Sequence, residues 1–226
     1  MKLDLLSAGA AQGVVAALAS EAGIEVAGSF GAVGAIKEKF LGGAPCDIII
    51  LTQAQIAELA AQRLVLPGSC ANLGTVLTGI AVRTGDILPD VSNEDALRAA
   101  LRAADGIYFP DAQKATAGIH FAKVLDALGI RSEVAARLRT HPNGAAAMRE
   151  LARASGRAIG CTQVTEILNT PGVVLVAPLP KAFELATVYS AAVSARAANT
   201  EAARRFAAVL TAEASRALRA QAGFGL

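Results

Sequence analysis

The run Asp47-Ile-Ile-Ile-Leu51 constrains the fold of this chain most, because a strand with no polar face must be covered by other elements on both sides. Segments before and after it repeat one pattern. Lys2 to Leu6 reads as a strand that ends in Ser7-Ala8-Gly9, and Ala10 to Ala22 as an Ala-rich helix closed by Gly23. Ile24 to Ser29 predicts the next strand. Val33, Ile36 and Phe40 at i, i+3 and i+7 then give a helix one apolar stripe, ended by Gly42-Gly43. After the all-apolar run, Thr52-Gln53 opens a helix to about Ala61. Strand–helix units in succession argue for a parallel sheet in an α/β fold.

The rest of the chain continues in the same manner. Leu77 to Val82 reads as a strand, and Arg83-Thr84-Gly85-Asp86 with Pro89 as a connection leaving a first lobe. Ser92-Asn-Glu-Asp95 marks a helix start, Gly106 to Phe109 a strand, and Thr116-Ala117-Gly118 the start of a helix to Leu128. Ser132 to Arg139 and Gly144 to Ala154 are expected to be helical, Ala158 to Cys161 and Val173 to Ala177 to be strands. Leu185 to Ser194 is a long β-type run followed by a helix from Thr200. The expected division is residues 1–83 with 184–226 as one lobe and 84–183 as the second.

Composition removes several functional classes. With 21 basic against 19 acidic side chains the chain lacks the basic field that holds a phosphate backbone, so no nucleic-acid partner is expected. At 54% hydrophobic, disorder is excluded. Cys46, Cys70 and Cys161 stand in no CxxC or zinc spacing and read as small buried thiols. No metal site or cofactor is expected. Leu5 to Ser20 is broken by Ser7 and Gln12 and falls short of the roughly 20 apolar residues of a membrane span, so no membrane insertion is expected. Nor does it have the basic start and apolar stretch of a secretory signal. The sequence as it stands is therefore placed in the cytoplasm, or in the periplasm if a leader has been removed.

Five segments occur in the order found in one known family: Ser29-Phe-Gly-Ala-Val-Gly-Ala-Ile36, Gly43-Ala-Pro-Cys-Asp-Ile-Ile49, Ala117-Gly-Ile-His-Phe-Ala-Lys123, Ala158-Ile-Gly160, and the ending with Phe206 and Gly223-Phe224. In these the chain resembles the type 2 periplasmic-binding-protein fold, in particular the molybdate-binding-protein-like branch of ABC transporter receptors, a family that also includes aconitate isomerase. The resemblance implies two α/β lobes, each with a mostly parallel sheet, and an inter-lobe ligand cleft. It also implies a monomer that takes a small anionic ligand, a carboxylate or oxyanion, and hands it to an ABC transporter if secreted.

Molybdate binders of that branch hold their oxyanion with two Ser hydroxyls, a Tyr hydroxyl and backbone N–H groups. Here Gly9, Val33 and Gln163 fall at the three hydroxyl positions, so the resemblance implies a related but not molybdate-specific ligand. The polar groups around the expected ligand are Ser7, Ser29, Thr52, Gln53, Lys114, Thr116, His120, Thr162, Gln163 and Thr165. Ala8, Gly9, Val33 and Ala117 would contribute backbone N–H groups. Each has an ordinary alternative: Ser29 and Thr52 also suit helix capping, Lys114 an exposed turn, and His120 packing. His141 reads as a loop residue and Glu166 as solvated or paired with a basic neighbour. Two functions follow. One is a small-anion or carboxylate binder; the other is a cofactor-independent allylic isomerase of an unsaturated carboxylate, with His120 and Lys114 moving the proton.

Overall fold

A computed structural model describes residues 2–225. In chain order the elements are β1 (Lys2–Ala8), a 3-10 turn (Gly9–Ala11), α1 (Gln12–Glu21), β2 (Glu25–Gly31), α2 (Val33–Leu41), β3 (Ile48–Thr52), α3 (Gln53–Ala61) and β4 (Ala71–Arg83). Next come α4 (Glu94–Ala103), β5 (Gly106–Pro110), α5 (Thr116–Ala127), α6 (Arg131–Val134), β6 (Leu138–His141), α7 (Gly144–Arg153), β7 (Ala158–Gln163), α8 (Val164–Leu168) and β8 (Val173–Pro178). The chain ends with β9 (Ala186–Val193), α9 (Thr200–Thr211) and α10 (Arg216–Gln221).

Backbone proximity divides the chain into one unit of Met1–Val76 with Thr187–Leu226 and another of Leu77–Ala186. The expected lobe boundary at Arg83 falls at the end of β4, whereas this division falls inside the strand. The reason is that β4 begins at Ala71 and runs on through both units.

In the first unit β1 pairs in parallel with β2 and with β3, and β3 pairs antiparallel with β9, beside which β4 begins. The run Ile48-Ile-Ile-Leu51 is fully buried, as a strand enclosed on both faces must be. Asp47 just before it is buried too. Its carboxylate accepts from the backbone N–H of Asp4 at 2.8 Å and of Asn199 at 3.2 Å, tying β1 and the start of α9 to β3.

In the second unit β4 lies between β8 and β7, both antiparallel to it, and β5 pairs in parallel with β7 and β6. Ile80, Leu97, Leu101, Ile107, Phe109, Phe121, Leu125 and Ile130 form the main core, with Phe109 and Phe121 meeting edge to face at 5.3 Å between centroids. The helix expected over Ser132 to Arg139 is instead α6, a 3-10 turn and β6, so His141 ends a strand and is not in a loop. β6 carries Leu-Arg-Thr-His, too polar to read as a strand, and is held by parallel pairing to β5 on one side. Cys70 is exposed, against the expectation that all three thiols are buried, while Cys46 and Cys161 are buried.

α5 lies so close to the end of β5 that a Cβ at Gly118 would overlap the backbone carbonyls of Pro110 and Asp111. Backbone cannot swing away as a side-chain tip can. Gly118→Ala is therefore expected to cost about 3 kcal/mol, the upper end for overpacking, read as a lowered urea midpoint. An unchanged midpoint would show that α5 can lift from β5 freely.

Candidate functional site

Every helix presents first-turn N–H groups with no partner inside the helix. This chain deals with them in two ways. Thr52, Asn93, Asn143 and Asn199 cap α3, α4, α7 and α9, each accepting from a backbone N–H with its side chain. The helices after β1, β2, β5 and β7 are preceded by Ala11, Ala32, Ala115 and Gln163, and none of these four makes a side-chain cap bond. The sequence-predicted ligand residues Ala8, Gly9, Val33, Thr116, Ala117 and Gln163 fall at these uncapped starts. α6 and α10 also begin without a side-chain cap, but they follow short loops and turns, not parallel strands.

In the first unit Ser7, Ala8 and Gly9 are buried at the carboxyl end of β1, and the Ser7 hydroxyl donates to the Ala8 carbonyl at 2.9 Å. Ser29 is set apart from them. It pairs with Leu6 while Ser7 pairs with Phe30, so the pleat sends the two serine side chains to opposite faces of the sheet. The Ser29 hydroxyl accepts from Lys39 Nζ at 2.8 Å and does not cap α2. Thr52 follows its capping alternative: its hydroxyl accepts from Gln55 N at 3.4 Å and donates to Gln55 Oε1 at 3.1 Å. Val33 is buried as the first residue of α2, and Gln53 is exposed on α3.

In the second unit the Asp111 carboxylate accepts from the backbone N–H of Gln113 at 2.7 Å and of Lys114 at 3.0 Å, shaping the turn that leads to Thr116 and Ala117. Lys114 is exposed on that turn. His120 lies on α5 with Nε2 2.7 Å from the Phe183 carbonyl, which can only accept, so Nε2 carries the proton and Nδ1 is left as the basic nitrogen. His141 stacks on Tyr108 at 5.9 Å between centroids, its Nε2 is buried without a partner, and burial lowers its pKa.

The strongest feature lies at the carboxyl end of β7. Gln163 is 3% exposed, and neither its amide nitrogen nor its amide oxygen has a hydrogen-bond partner in the protein. Thr165 and Thr78 are likewise buried with unpartnered hydroxyls, and Thr78 stands directly opposite Gln163 in the β4–β7 register. Each such group forgoes water at a cost of about 1–3 kcal/mol, which a ligand returns when it supplies the missing partner. Thr78 was missed from the sequence. Its signal is one hydroxyl in the otherwise apolar stretch around Leu77 and Ile80.

Thr162 is not free to meet a ligand, because its hydroxyl donates to Glu166 Oε2 at 2.6 Å. Glu166 is correspondingly neither solvated nor paired with a base. It is buried, accepts from the Thr162 hydroxyl, and faces the backbone N–H groups of Ala145, Gln163 and Gly144, which favour its ionised form. Burial raises its pKa, and those hydrogen bonds oppose the rise without cancelling it. Among the described residues no group of three His, Cys, Asp or Glu side chains could hold a metal ion, and no helix is long and apolar enough to cross a membrane. A cavity of about 500 Å³ does open at the amino end of β7, but Val82, Ile87, Pro89, Ala100, Ala158 and other largely apolar residues line it. It lies at the other end of the strand from Gln163.

The fold has close counterparts among solved structures. The periplasmic molybdate-binding protein of Azotobacter vinelandii matches with a TM-score of 0.77 at 18% identity, covering 99% of each chain. The sulfate-binding protein SubI of Mycobacterium tuberculosis matches at 0.72 and 20% identity, covering 99% of this chain and 86% of that one. Both identities are low, so they establish the type 2 periplasmic-binding-protein fold and no ligand. In sequence, the chain is 27% identical over 174 residues to an aconitate isomerase from Pseudomonas sp., a match covering 75% of this chain. The matched part spans 63% of that relative's length. The profile of one family extends over residues 6–225, nearly the whole chain. With that extent of match and the fold just described, the protein belongs to the bacterial extracellular solute-binding protein family.

Proposed function

We propose that this solute-binding protein takes a small organic carboxylate, held by backbone amides and by Gln163. The observation that carries the reading is the Gln163 side chain, buried with both polar atoms unpartnered beside Thr78 and Thr165. An amide offers a donor and an acceptor in one plane, which suits a carboxyl group and its substituents. The uncapped start of α5 at Thr116 and Ala117 supplies N–H groups on the same unit. Gly9, Val33 and Gln163 bring no hydroxyl, and Thr162 is committed to Glu166. The three positions that carry hydroxyls in molybdate binders thus offer none here, and the unpartnered hydroxyls near Gln163 are those of Thr78 and Thr165.

Family membership supports capture of a solute for an ABC importer, which works on the periplasmic side of the membrane. Fractionation of cells expressing the native gene separates this placement from the cytoplasmic one. The binder is expected as a monomer.

A thermal-shift panel tests the ligand class. Mono- and dicarboxylates are expected to raise the melting temperature, and Gln163→Ala to weaken their binding about 10- to 100-fold, the loss of one or two charge-assisted hydrogen bonds. Stabilisation by molybdate or tungstate alone would overturn the carboxylate reading.

A second reading, an allylic isomerase of an unsaturated carboxylate, is favoured by the relative at 27% identity and by one detail of geometry. The Phe183 carbonyl fixes the His120 proton on Nε2, which leaves Nδ1 able to accept a proton from carbon, with Lys114, on the turn before α5, proposed to stabilise the developing charge. Proton NMR of cis- and trans-aconitate in deuterium oxide tests it. An isomerase is expected to exchange the carbon-bound protons and to lose at least about 100-fold in rate on His120→Ala, the usual size of a general-base contribution. Absence of exchange with the wild-type chain would leave the binder alone.

A further inference from the structure

One helix start in the second unit differs from those that suit a ligand. At α7 the Asn143 side chain accepts from Ala146 N at 2.9 Å, and the Glu166 carboxylate packs against Gly144, facing the backbone N–H groups of Gly144 and Ala145. Thr162 and the backbone N–H of Gln163 complete its surroundings. The backbone amides can only donate and the Thr162 hydroxyl can do so too, so these surroundings favour the ionised form against the burial that opposes it. The fit also dictates residue 144. A Cβ on Gly144 would overlap both Glu166 Oε2 and Thr162 Oγ1, so only glycine admits the carboxylate.

At a pH above its raised pKa, such as pH 8, Glu166 puts a negative charge beside Gln163, whose backbone N–H faces the carboxylate and whose amide head is buried and unpartnered. We propose that Glu166 is a specificity-determining residue: by occupying the amides of α7 it restricts the group bound at Gln163 to a single negative charge, admitting a carboxylate and disfavouring a tetrahedral dianion. The inference rests on the reading of Gln163 as a ligand residue. A group hydrogen-bonded to the Gln163 amide lies about 8–10 Å from the carboxylate by side-chain length. At an effective dielectric of about 20, one further negative charge at that distance lowers affinity by at least roughly tenfold. The substrate class that follows is an acid presenting one carboxylate to this unit, with any further charge lying elsewhere on the molecule.

Calorimetry on the full chain at pH 8 with methanesulfonate and sulfate tests this, because the two share a tetrahedral head and differ by one charge. The wild-type chain is expected to bind methanesulfonate about fivefold or more tighter, and Glu166→Gln to shift the ratio about tenfold toward sulfate. Sulfate binding as tightly as methanesulfonate to the wild type overturns the proposal without any variant. An unchanged ratio in a folded Glu166→Gln protein overturns it as well, since a purely structural role would weaken both anions alike. Failure of the underlying reading looks different: Gln163→Ala would then leave both affinities as they were, or neither anion would bind the wild type.

Discussion

Every backbone N–H removed from water must find an acceptor, and in an α/β chain that demand is concentrated where helices start behind parallel strands. The protein meets it with its own side chains at α3, α4, α7 and α9 and does not at the helices following β1, β2, β5 and β7. A capped start is a finished structural joint; in the function proposed here, the uncapped starts and the unpartnered Gln163 keep hydrogen bonds for the solute. Stability given up at these points is recovered only on binding, so such a protein is expected to be stiffer with its solute than without it.

Electrostatics then refine what the amides alone would accept. Helix starts attract any anion, and they do not distinguish one charge from two with much selectivity. A buried carboxylate among donors changes that balance at one chosen helix and leaves the others untouched. It also explains why Thr162, Gly144 and Glu166 go together: removing the glycine expels the carboxylate, and removing the carboxylate strands the threonine hydroxyl and several amides.

Much of this was legible in the sequence, and the exceptions have physical causes. The run through Ile48 to Leu51 fixed the buried strand, because no periodicity other than full enclosure fits it. Gln163 was singled out by the resemblance, where it falls at the Tyr position of the molybdate binders, and the structure shows its amide buried without a partner. β6 did not emerge, since Arg139 and Thr140 are exposed and its strand character comes from pairing with β5 and not from its own composition. The first half of β4 was hidden by Asn72 and Gly74 for the same reason. Glu166 was misjudged as surface-like because its partners are backbone amides from a helix distant in sequence, which no local pattern announces. Thr78 offered only one hydroxyl in an apolar stretch as a signal, and its register opposite Gln163 gave that signal meaning.

The first unit is assembled from both ends of the chain, and β9 pairs with β3 along Ile48 to Thr52. During synthesis the second unit is complete before β9 has left the ribosome. For that interval one edge of the most apolar strand in the molecule is open, a template on which nascent copies can stick to one another. The order of the genes' codons thus imposes a waiting time on the hydrophobic centre, and a chaperone that shields the young chain, or slower crowding of ribosomes on its message, bears directly on how much of the protein is recovered in native form.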